Sequence, residues 1–350
     1  MNALLVTVFS EAELVEAGLT TKKLKLVLIS VICDRKPLPL SIFEKKIKNK
    51  NMQSEKIKSW IFLTLAMSFW GMSFIWTGIL LKHHLTPVSI ITLRLVLSTL
   101  FLLVFSLIFR KFEAIKKQDL KYFILLAFFQ PFIYFIFEGY GIKNTSASFA
   151  AIIISTIPLF TPLGVRLFYK NQLSVLNFVG LIISFVGVAL IVLNKSSQIK
   201  ISITGILLLF GAVFSGVAYF LTLKKIVDNY NSVSIATWQN IIGIIYFIPL
   251  FFYLGFDDIT KVSFTGQILN SLLALSILAS SLAFIFNTYS VRVLGPSKTA
   301  AFTNSVPVFT VIFAYYFLNE PVSFHKIAGM TIVITGLMLS QYSKKKEKNN

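Results

Sequence analysis

Acidic side chains are scarce in this sequence, and so are cysteine and histidine. Fourteen Asp and Glu stand against 33 Lys and Arg in 350 residues, a formal charge of +19. The single cysteine, Cys33, excludes an internal disulfide and a cysteine-based metal site. Of the three histidines, His83 and His84 are adjacent but have no carboxylate or cysteine beside them, so no metal site is expected. His325 sits alone at a span end. No phosphate-cradling G-x-x-x-x-G-K-[ST] loop occurs, and no cofactor is expected. Charge of either sign is sparse as well, at 13% of residues against about 25% in typical soluble domains. A soluble chain of this length needs far more polar surface. The 56% of hydrophobic residues therefore read as an all-α integral membrane protein. The positive charge lies in clusters between apolar runs, the pattern of membrane-flanking loops. The lipid bilayer is then the expected partner, and nucleic acid is not.

Residues 1–51 differ from the rest. Their apolar runs fall short of the ~18 residues of a spanning helix, and Glu11, Glu13 and Glu16 follow the short apolar start, the wrong order for a signal peptide. Met52, Lys56 and Lys58 then precede a long uncharged run, so synthesis is expected to begin at Met52. On that reading 1–51 is a disordered or non-native extension. From there the chain is a train of apolar segments: 59–81, 88–109, 121–142, 146–168, 175–194, 203–223, 233–254, 266–290, 297–318 and 324–342. Residues 229–256 exceed one span, so that helix is expected to tilt or begin late. With both termini cytoplasmic, the inner loops hold eleven Lys and Arg and the outer loops six, before the basic tail 343–350 is counted. That satisfies the positive-inside rule.

The ten segments are two copies of five. Shifting the sequence by 149 positions brings Pro158 onto Pro307, Thr161 onto Thr310, Gly180 onto Gly329 and Gly187 onto Gly336. Phe137 falls on Phe286 and Tyr140 on Tyr289. The copies are 52–194 and 203–342. Five spans is an odd number, so the copies must enter the bilayer in opposite directions, giving ten transmembrane helices as two inverted five-helix repeats. Many secondary transporters share that plan, with substrate near the midplane. Pro158 and Pro307 fall near mid-span, where each frees a carbonyl, at Ile154 and Thr303, that must find a partner inside protein or a wet cavity.

Several pieces in register carry a family likeness. They are Phe69-Trp70-Gly71, Thr86-Pro87 followed by Arg94, the run from Phe137 to Ala147, the two proline helices, Glu320-Pro321, and the glycine pairs of the fifth and tenth spans. From Lys56 onward the chain resembles the EamA family of the drug/metabolite transporter superfamily. The resemblance implies a ten-helix bundle of the plasma membrane exporting small metabolites, often amino acids or toxic analogues. One departure is Asn171, where the family commonly has an acid matching Glu320.

Ionisable groups inside spans cost about 2.5–3.5 kcal/mol at the helix centre, so each invites a reason. Arg94 and Glu138 lie at similar outer depth on consecutive antiparallel spans, which allows an ion pair or a shared polar lining. Asn287 occupies the position of Glu138 in the second copy, and Asn304 precedes Pro307 by one turn. Gln130 interrupts the third span beside Pro131, and Gln239 opens the seventh between Trp238 and Asn240. Trp70 and Tyr140 complete the candidate substrate pathway, although aromatics and amides also serve as anchors and helix-joining groups. The expected function is a secondary transporter, not an enzyme, moving a small-molecule substrate; a homodimer is compatible with the sequence. The rival reading is a membrane enzyme or flippase acting on lipid-linked substrates, against which the scarcity of His and embedded acids argues.

Overall fold

The computed structural model describes residues 40–83, 85–144, 153–170, 174–192, 202–256, 262–318 and 323–341. The readings placed on 1–39, His84, Asn171, Glu320 and the basic tail lie outside those residues. The chain divides into Met1–Glu55 and Lys56–Asn350, and the second unit holds the bundle. Among the described residues there are helices and connecting turns and no strand.

Helix α1 (Leu40–Lys82) carries the first apolar stretch, Met52–Leu80. Helix α2 (Pro87–Ile108) is opened by Thr86, with proline at the first turn where its missing N–H costs nothing. The third span is α3 (Leu120–Ala127), a widened turn Phe128–Ile133, and α4 (Tyr134–Lys143). Helices α5 (Ile157–Tyr169) and α6 (Val175–Val192) close the first copy. Helix α7 (Ile203–Ile226) follows, then α8 (Ser232–Leu254), α9 (Gly266–Ala274), a widened turn Leu275–Leu282 and α10 (Ala283–Leu294). Last come α11 (Pro296–Phe302), a tight turn Thr303–Ser305, α12 (Val306–Leu318) and α13 (Phe324–Gln341). Seven of these helical runs are long and apolar enough to cross a membrane; Ile157–Tyr169, Val175–Ile191 and Phe324–Ser340 are shorter apolar helices. The long run 229–256 resolves into a late start, because Asn231 caps α8 by accepting from the Ser234 N–H at 2.9 Å.

The duplication is visible in the contacts. Helices α6 and α13 run antiparallel, Gly180 against Gly336 and Gly187 against Gly329. A Cβ on Gly187 would stand 2.6 Å from the Val333 nitrogen, so only glycine allows the backbones this close. The two contacts exchange under the 149-residue shift. So do the stacking of Phe62 on Phe286 at 4.5 Å and the seating of Phe137 on Gly211. Ser98 with Asn240 and Ile91 with Phe247 form a third such pair. Reciprocity of this kind is what a two-fold axis between two copies produces.

Each proline helix breaks and restarts immediately before its proline, which then occupies a first turn. Equivalent hydroxyls cap the two breaks. Thr156 Oγ1 donates to the Ile153 carbonyl at 2.6 Å, and Ser305 Oγ donates to the Phe302 carbonyl at 2.7 Å. One turn on, Thr161 and Thr310 turn back onto the Ile157 and Val306 carbonyls. Pro158 is buried and Pro307 half-buried.

On the face where basic loops concentrate, the turn between α2 and α3 is tied to the turn between α7 and α8. Tyr230 donates to Asp119 at 2.8 Å and accepts from the Lys116 N–H at 3.0 Å. Burial raises its phenol above the usual range, keeping the donor protonated at neutral pH.

The glycine seam generates a specific expectation. Gly180→Ala and Gly336→Ala should each cost about 1–3 kcal/mol of stability from overpacking. Because these two residues share one contact, the double variant should lose less than the sum, whereas Gly180→Ala with Gly329→Ala should be near additive. Unfolding of the detergent-solubilised protein measures all three.

Candidate functional site

The site grows from the interruption of the third span. Pro131 has no N–H to give, and Gln130 sits in extended backbone (φ −147°, ψ 123°), so helical bonding stops there. Two carbonyls at the break accept from the second copy, and that of Phe129 also takes the Tyr134 N–H. Ser215 Oγ of α7 donates to the Phe129 carbonyl at 2.6 Å, and Gln239 Nε2 of α8 donates to the Gln130 carbonyl at 2.9 Å. One turn beyond Gln239, Gly243 lies against Pro131 so closely that a Cβ would meet its ring at 2.8 Å.

Around this break stand the two charges of the spans. Arg94 is buried on α2, its guanidinium 4.5 Å from the centre of the Phe135 ring, with Nε lacking a hydrogen-bond partner. Glu138, one turn past Tyr134 on α4, is half-buried and accepts from the Tyr134 hydroxyl at 3.2 Å. Arg94 and Glu138 are not the direct ion pair that their depths allow, since the one ion pair within 4 Å among the described residues is Lys224–Asp228. The physical reason is the aromatic face: Phe135, three residues before Glu138, takes the guanidinium as a cation–π partner. Gln239 adds a buried Oε1 without a donor. The arrangement offers a cationic fork and a carboxylate, each with capacity to spare, beside irregular backbone.

The equivalent place in the second copy is the widened turn Leu275–Leu282. The shift carries Gln130 onto Ala279, whose carbonyl accepts from Trp70 Nε1 of α1 at 3.1 Å. Asn240 Nδ2 reaches the Ser280 carbonyl at 3.4 Å and Ser98 Oγ at 2.6 Å; Ser98 and Ser281 share a hydrogen bond of 2.7 Å. Each copy's third span is thus held by side chains of the other.

Arg94, Gln130, Glu138 and Gln239 come together at the first interruption, and Trp70 belongs to the second. Asn287 is fully buried, donating to the Tyr219 hydroxyl at 3.4 Å. Asn304 packs away from both breaks, donating to Ser184 Oγ of α6 at 3.2 Å. Tyr140 is 40% exposed. The sequence reading passed over Ser215, Ser98 and Tyr134, whose hydroxyls look ordinary in an apolar helix. Tyr219 was findable, because the shift places it on Trp70.

Comparison with known proteins agrees over almost all of the second unit. Residues 58–193 and 203–342 each match the EamA-like transporter family. An uncharacterized transporter of Archaeoglobus fulgidus is 26% identical over 284 residues, covering 81% of this chain and 98% of its own. The uncharacterized transporter YdfC of Bacillus subtilis is 24% identical, covering 82% and 92%. A solved crystal structure shares the fold at 13% identity, with TM-score 0.68 over 81% of this chain and 97% of that one.

Loss of a single donor should expose how the break is held. Ser215→Ala removes the side-chain donor to the Phe129 carbonyl, which keeps the Tyr134 N–H, and should lower unfolding free energy by about 0.5–1.5 kcal/mol, read by denaturant titration in detergent.

Proposed function

The chain belongs to the EamA-like transporter family, and on that premise we propose that it is a secondary transporter exporting amino acids or similar small metabolites. In this reading all ten apolar segments cross the plasma membrane, with both termini in the cytoplasm. The two inverted copies rock about the axis between them, opening the midplane to one side and then the other.

The observation that carries the reading is the pair of opposite charges at the broken third span. Two ionisable groups inside hydrocarbon-spanning helices are retained at a cost, and here they do not spend themselves on each other. Arg94 presents a planar fork suited to a carboxylate. Glu138, with a single phenolic donor, suits an ammonium. A zwitterion satisfies both. The lateral wall comes from Phe135 and from the amide of Gln239, whose free oxygen adds an acceptor.

The test uses the full chain in liposomes with a tritiated mixture of proteinogenic amino acids. Flux should appear and should fall about tenfold or more in Glu138→Gln, a loss of roughly 1.4 kcal/mol. Arg94→Lys should fall comparably, because an ammonium replaces neither the fork nor the contact with Phe135. Full flux in both variants removes these residues from the pathway. Turnover or flipping of lipid without amino-acid flux would favour a lipid-directed enzyme or flippase.

A further inference from the structure

We propose that the widened turn Leu275–Leu282 is a two-state hinge of the transport cycle, and that Trp70 is the positioning residue that holds it in the register seen here. The inference rests on the transport reading above, but its first test does not.

The two copies reach irregular backbone by different means at the same place. In the first copy the interruption is written into the chain: Pro131 lacks the N–H, its ring opposes the preceding turn, and Gln130 is extended. That break cannot revert to α-helix. In the second copy the segment reads Leu-Ser-Ile-Leu-Ala-Ser-Ser-Leu, without proline or glycine, and nothing in it resists an ordinary helix. Its turn is nonetheless one residue too wide, a rare conformation found where helices do work.

What holds it wide is a set of donors, several from outside the segment. Trp70 Nε1 takes the Ala279 carbonyl, and Asn240 takes that of Ser280. Within the turn, Ser281 Oγ reaches back five residues to the Ser276 carbonyl at 2.8 Å. Trp70 also sets its ring edge-on to Phe284, 5.5 Å between centres, so that one side chain spans the turn from Ala279 to the start of α10.

A second observation points the same way. Buried oxygens without a hydrogen-bond partner stand on and just beyond this turn: Ser280 Oγ and Asn287 Oδ1. Unmade bonds of buried groups are costly, and these two stand on the helix that would turn if the extra residue were absorbed. Return to α-helix shifts register by one residue, a rotation of about 100° and an advance of ~1.5 Å. That motion swings Phe284, Asn287 and Thr288 together, giving the orphaned oxygens new neighbours. The first copy then supplies the fixed break and the second the moving one.

Hydrogen–deuterium exchange of the full chain in nanodiscs tests this without any substrate. Trp70→Phe keeps a ring against Phe284 and removes the N–H. Amide exchange across 275–282 should rise about tenfold, with 126–135 changed less than about twofold. The melting temperature should stay within about 2 °C. Unchanged exchange at 275–282 overturns the proposal. So does a rise shared by all spans with a lowered melting temperature, which would make Trp70 a packing residue only. If Trp70→Phe does not accumulate, Ser281→Ala is measured with the same criteria. In liposomes with the tritiated amino-acid mixture, Trp70→Phe should change the maximal rate and leave KM near its original value. Localised exchange with no flux in any variant keeps the hinge and sinks the transport reading. Flux with no local exchange change sinks the hinge.

Discussion

A backbone carbonyl or N–H in hydrocarbon has no water to fall back on, and the bundle is arranged around that constraint. Where its helices stay regular, they satisfy themselves. Where they stop, at 128–133, 155–156, 275–282 and 303–305, a hydroxyl, an amide or an indole bonds a carbonyl beside the break. At the proline breaks the hydroxyl is local, Thr156 on the Ile153 carbonyl and Ser305 on that of Phe302, while the Thr303 carbonyl accepts from the Val306 N–H. At the third-span breaks the donor comes from the opposite copy, as Gln239 or Trp70. The second arrangement makes each half a condition of the other's backbone geometry.

Duplication explains why those demands are met in matched pairs. A two-fold axis puts residue 130 of one copy and residue 279 of the other in comparable surroundings, and the glycine seam of α6 and α13 holds the copies at one end of that symmetry. Function then works on the differences. Glu138 corresponds to Asn287, Arg94 to Gly243 and Trp70 to Tyr219 under the shift. The charges of Arg94 and Glu138 therefore have no counterpart at the matching positions of the second copy.

Much of this was legible in residues alone. Proline and glycine report backbone constraints directly, so the shift that overlays Pro158 on Pro307 and Gly187 on Gly336 also marked the helix restarts and the closest helix pair. The depths of Arg94 and Glu138 could be counted from span ends. Their partners could not, because whether a guanidinium takes a carboxylate or the face of Phe135 depends on side-chain directions across two helices. The widened turn at 275–282 was invisible for a related reason: its sequence reads as uniform helix, and the groups that distort it, Trp70 and Asn240, lie far away in the chain. Serines such as Ser215 carry no mark of being essential until the carbonyl they meet is known.

Opposed insertion of the two copies is the claim on which the rest stands, and Ser174 and Ser323 test it most directly. They are equivalent under the shift, exposed, and sit at the starts of α6 and α13. With Cys33→Ser as background, Ser174→Cys and Ser323→Cys are labelled with a membrane-impermeant maleimide in intact cells and in inverted vesicles. Labelling of Ser174→Cys only from the cytoplasmic side and of Ser323→Cys only from outside is the predicted result. Labelling of both from one side would contradict the account.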